Sequence, residues 1–152
     1  MNDLAQIIDK VLAWLNSFFG VKTAQQFYQT IDVTVATGAT AGSLNETSVT
    51  LNQAFNKIVG IAYHEIEDGG QPNNYNVGGR SDRFAWIQLI NINNWNANSG
   101  VGPMQKFRKV NIGYGAGDKF HAQVTPNGVL ASDLTGQMVL ILERDLTELP
   151  GQ

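Results

Sequence analysis

The chain has 152 residues, a net charge of −3 and a pI near 5.2, with 43% hydrophobic and 15% charged residues. That length suits one domain with a real core. The acidic balance, with no run of Lys or Arg, excludes a strong electrostatic pull on nucleic acid. The absence of cysteine excludes a disulfide framework and a thiolate metal site, and no apolar run approaches the roughly 18 residues that span a bilayer.

Residues 1–20 form the first expected element, an amphipathic helix. At about 100° per residue, Leu4, Ile7, Ile8, Val11, Leu12, Trp14, Leu15, Phe18 and Phe19 fall within about 160° of arc. Asp3, Gln6, Asp9, Lys10, Asn16 and Ser17 occupy the other side. Asn2 or Asp3 can cap the first amides and Gly20 suits the end. The segment does not read as a secretory signal, because Asp3 opens it and Asp9 and Lys10 interrupt it. An apolar face of this size is worth on the order of 10 kcal/mol when buried, so something must cover it: the domain's own sheet, another subunit or a membrane surface. The acidic polar face disfavours the membrane.

A β-sandwich is expected over residues 25–148. Gln25 to Val35 alternates, with Phe27, Ile31, Val33 and Val35 on one face and Tyr28, Thr30, Asp32 and Thr34 on the other. Further strands are expected at Thr47 to Leu51, Lys57 to Glu67, Arg83 to Ile92, Gln105 to Ile112, Lys119 to Thr125 and Gly136 to Asp145. The strand from Arg83 is apolar on both faces and is expected to be central. Gly and Asn crowd the connections, and Thr125-Pro-Asn-Gly128 reads as a hairpin turn. The class implied is all-β, an antiparallel sandwich of about seven or eight strands behind one helix.

Catalytic motifs are not found. His64 and Asp68 share one face of an ideal strand and Glu65 and Glu67 the other, which raises two chemical readings. One is a metal site completed by His121; the other is a carboxylate pair about 7 Å apart. Solvated strand-end side chains explain the same residues without chemistry, so no catalytic residue, metal or cofactor is assigned. Residues 69–79 read as a long loop, and Tyr75, Arg80 and Arg83 are candidates for a contact or ligand loop together with Trp95. Trp95, flanked by asparagines, would suit the apolar face and hydroxyls of a sugar if exposed; otherwise it plugs the sandwich edge.

A cysteine-free, Asn- and Gly-rich sandwich with long polar loops and a preceding helix resembles the single jelly-roll structural proteins of viral and bacteriophage capsids, of penton, minor capsid or decoration type. The resemblance covers about Gln25 to Asp145, and the segment from Val124 to Glu143 is similar to the closing hairpin of such proteins. It implies a virion component that contacts copies of itself and other shell proteins through its sandwich, with the helix docking on a neighbour or an inner layer. Outside that resemblance the chain reads as a soluble protein. The alternative is a carbohydrate-binding module built on Trp95 and its Asn neighbours.

Overall fold

A computed structural model describes residue 11 and residues 25–71, 74–83, 86–96 and 107–144. The expected N-terminal helix lies outside these residues except for Val11, which is helical and 48% exposed. No described helix is long and apolar enough to cross a membrane.

Among the described residues, eight strands form two four-stranded antiparallel sheets: β1 (Gln25–Val35), β2 (Asn45–Thr50), β3 (Lys57–Asp68), β4 (Tyr75–Ser81), β5 (Trp86–Asn91), β6 (Arg108–Gly113), β7 (Lys119–Pro126) and β8 (Leu134–Arg144). A short helix, α1 (Ile92–Asn96), follows β5. Sheet A has the order β1-β8-β3-β6 and sheet B the order β2-β7-β4-β5. Four of the pairings, β1 with β8, β2 with β7, β3 with β6 and β4 with β5, are those of one long hairpin of double strands. The contacts of β3 with β8 and of β4 with β7 roll that strip into two layers.

Alternation decides which side of each strand is inside. In β1, Ile31, Val33 and Val35 are buried while Thr30, Asp32 and Thr34 are exposed. In β7, Phe120, Ala122 and Val124 point inward. Leu140 and Ile61 of sheet A and Val77 and Phe120 of sheet B, all fully buried, join one core between the sheets. Phe27 shares the inward parity of β1 but sits at the mouth, 41% exposed and stacked on Phe55 at 5.5 Å.

Three expectations need correction. Residues 75–81 form β4, where the sequence suggests a loop. Gly79 makes space: a Cβ there would stand 2.7 Å from Phe120 Cε1 and 2.8 Å from the His121 carbonyl oxygen, so glycine admits the Phe120 ring. The strand expected from Arg83 is β5, at the edge of sheet B and not its centre. Apolar residues on both faces report what covers a strand's faces, which is independent of how many strands flank it. The Asn127-Gly128 turn does not close a hairpin. β7 and β8 lie in different sheets, and residues 127–133 carry the chain from one layer to the other. The left-handed glycines lie elsewhere: Gly69 and Gly70, at φ 68° and 72°, make the tight link after β3.

Candidate functional site

Among the described residues, a dense group of charged side chains lies on the outer face of sheet B, where β7 runs between β2 and β4. Strand parity places it there: Phe120, Ala122 and Val124 occupy the core, so His121 and Gln123 must face outward. Register sets Ser48 and Arg80 on either side of His121, with Glu46 and Gly78 flanking Gln123.

Arg80 reaches diagonally over β7, donating to Glu46 from Nε at 3.1 Å and from Nη2 at 2.8 Å. This is the bidentate fork that makes Arg–carboxylate pairs specific. Gln123 Nε2 donates to the same carboxylate at 2.8 Å. His121 Nδ1 lies 2.8 Å from Glu46 Oε1, and its Nε2 lies 2.7 Å from Asp82 Oδ1. Asp82 also accepts from the Lys119 amide at 2.9 Å. The Arg80 fork, opposed by some desolvation and helped by Gln123 and His121, lowers the Glu46 carboxyl to about 2. The His121 hydrogen bond and the Lys119 amide hold Asp82 below its usual value.

Chemically this is a clamp. Each imidazole nitrogen meets a different carboxylate on opposite sides of the ring, so the acids do not converge on one point where a cation could sit. The two nitrogens can donate to both acids at once only when both carry protons. Ser48 stands beside His121, yet the nitrogens that could act as its base already face Glu46 and Asp82. The clamp ties the edge strand β2 to β4 across β7. Gln123 Oε1 and Thr125 Oγ1, on the same face, are buried without hydrogen-bond partners.

The sequence candidates are scattered. His64 lies on the outer face of sheet A, exposed, and His121 on the outer face of sheet B, so the metal reading that joined them is overturned. Glu65 and Glu67 do not share a face, because a bulge between them leaves Ile66 exposed and breaks the alternation. Glu65 accepts a short hydrogen bond from the Tyr75 hydroxyl, and Glu67 accepts one from Thr135 Oγ1 at 3.4 Å. Tyr75 is fully buried in β4, not a loop contact. Burial, helped by that carboxylate, pushes the phenols of Tyr75 and of neighbouring Tyr63 well above the ordinary tyrosine range. Arg83 pairs with Asp118 at 2.6 Å, so Tyr75, Arg80, Arg83 and Trp95 do not form a single loop site.

Trp95 is 6% exposed and is not a platform for a sugar. Its Nε1 donates to the Val77 carbonyl at 3.2 Å, and the Arg108 guanidinium lies 4.6 Å from the ring centroid. The neighbouring asparagines serve local structure: Asn91 Oδ1 accepts from the Asn93 amide at 2.9 Å and caps α1. Sequence reasoning missed the clamp because Glu46, Arg80, Asp82 and His121 come from three separate stretches. The available signal was the outward parity of His121 and Gln123 within an apolar strand.

In comparisons with known proteins, no family model, no curated protein and no solved structure matches the chain.

Proposed function

We propose that the chain is a structural component of a virion capsid or a similar protein shell, with a jelly-roll sandwich as its building block. The observation that carries this reading is the strand order, β1-β8-β3-β6 facing β2-β7-β4-β5, which a double strip rolled into two layers produces. Jelly rolls of this size serve as capsid proteins, as lectins and as cupins. Two features favour the first use. The side chains that could carry chemistry engage one another, with His121 held between Glu46 and Asp82. The indole that could have stacked on a sugar is packed between Val77 and Arg108.

Shell subunits meet through sandwich edges and loops. Here the edges are β1 and β6 in one sheet and β2 and β5 in the other, and the exposed apolar side chains include Leu44 and Val129 in the connections. Multi-angle light scattering with electron microscopy of the purified chain tests the reading. Regular closed particles, or incorporation into the particle of a co-expressed major shell protein, are expected. A strict monomer that joins no particle overturns it.

A further inference from the structure

We infer that Asn127 is a self-modification site: the Gly128 amide nitrogen attacks the Asn127 side-chain amide, and the residue ends as aspartate or isoaspartate. This holds whether or not the chain builds a shell.

Asn127-Gly128 is the chain's single Asn-Gly pair. It opens the crossover from β7 to β8, outside the described strands, and Asn127 is exposed. Glycine is needed here for space and not for a left-handed backbone. Gly128 does not adopt a left-handed φ, but a Cβ on it would stand 2.8 Å from Gln71 Oε1. Gln71 is held against the turn, with Nε2 donating to the Val129 carbonyl at 3.0 Å and Oε1 accepting from Asn74 Nδ2 at 2.9 Å. The packing that calls for glycine therefore leaves the nitrogen after Asn127 without a side chain to shield it. Among the described residues no acceptor takes the Gly128 amide, whereas the Asn127 amide donates to the Asn74 carbonyl at 3.0 Å.

The side chain of Asn127 suits the same reaction. Asn76 Nδ2, from β4, donates to Asn127 Oδ1 at 3.1 Å. That donor draws charge from Cγ and stabilises the oxyanion formed when nitrogen adds to it. Asn127 thus serves the fold as an acceptor, a role that a carboxylate fills equally well. Other asparagines differ. Asn45 donates from Nδ2 to the Ser43 carbonyl at 3.1 Å and is followed by Glu46; Asn74 donates to Gln71 and is followed by Tyr75.

Water is the only co-reactant. The Gly128 nitrogen gives its proton to hydroxide and bonds to Asn127 Cγ, the Cγ–Nδ2 bond breaks, and Nδ2 leaves as ammonia. Water then opens the cyclic imide. Cleavage of the new N–Cγ bond gives aspartate, and cleavage of the bond to the main-chain carbonyl gives isoaspartate. Aspartate keeps the acceptor for Asn76 and adds a negative charge two residues from Val129, which is 60% exposed. Isoaspartate adds one methylene to the main chain of the crossover.

The test uses the full chain, aged in mildly alkaline buffer made with heavy-oxygen water, beside the same chain in urea, and mapped by peptide mass spectrometry. Conversion is expected first at Asn127 in the folded chain, with one heavy oxygen taken up. Asn76→Ala should slow it about threefold to tenfold in the folded chain, the effect of one lost hydrogen bond on a barrier, and leave the rate in urea unchanged. Asn127→Gln, which keeps an acceptor but would have to close a larger ring, should show no conversion in the same time. Melting curves check that both variants fold. Asn127 that stays intact in the folded chain while it converts in urea overturns the site, as does faster conversion at another asparagine. A folded Asn76→Ala chain that converts at the wild-type rate overturns the part given to Asn76.

Discussion

The outer faces of the two sheets are held in opposite ways. On sheet A, Ile141 lies over the notch at Gly60 and is 5% exposed although it points away from the core, with Tyr28 and Phe107 meeting beside it at 6.1 Å. On sheet B the same layer is a hydrogen-bonded clamp of Glu46, Arg80, His121 and Asp82. Packing of the first kind is indifferent to pH and salt, whereas a half-exposed charge network responds to both. The centre of sheet A's outer face, beside the Lys57–Glu143 ion pair at its end, is therefore held by packing that does not follow the solvent, whereas the centre of sheet B's outer face is held by charges that do.

The largest effect that would break this comparison is at sheet A. Ile141→Ala should cost about 2 to 4 kcal/mol, since it empties a covered site, and the loss measured by denaturant titration should be the same at pH 4 as at pH 7. A loss that varied with pH would show that the apolar layer depends on charge after all.

At sheet B, Glu46→Ala should cost about 1 to 2 kcal/mol, because it leaves Arg80 and Gln123 without their shared acceptor. The pH response sharpens the contrast. Glu46 has a lowered carboxyl in the folded chain, so it contributes stability above its unfolded value of about 4.5 and loses that contribution as pH falls toward about 2. Thermal melts between pH 5 and pH 2 should drop more steeply for the wild type than for Glu46→Gln, and equal slopes would contradict the clamp. At the small end, Asp32→Ala removes an exposed hydrogen bond to Gln137 and should change stability by less than about 0.5 kcal/mol.

Strands with strict alternation were legible from sequence. β1 begins at Gln25 and ends at Val35, as its pattern predicts, and Lys57 and Lys119 open β3 and β7 as expected. β4 was not legible, because Gly78 and Gly79 look like a loop until Phe120 is seen to need the space above Gly79. The bulge at Ile66 was also hidden, and with it the separation of Glu65 from Glu67, since a bulge is created by pairing with β8 and leaves no mark on local composition. The clamp depends on register between strands far apart in the chain. Only the outward parity of its members could be read in advance.

The pairing of β1 with β8 along its whole length, from Gln25 opposite Arg144 to Val35 opposite Leu134, has a consequence for biosynthesis. β2 has its sheet neighbour in β7, and β1 has its neighbour among the described strands in β8, so sheet A stays open until β8 has been synthesised. Until then Ile31, Val33 and Val35 of β1 lack their covering layer, and non-local closure of this kind is slow and exposed to aggregation. Chaperone engagement should accordingly be heaviest on nascent chains stalled before residue 134, and should fall once β8 has been released.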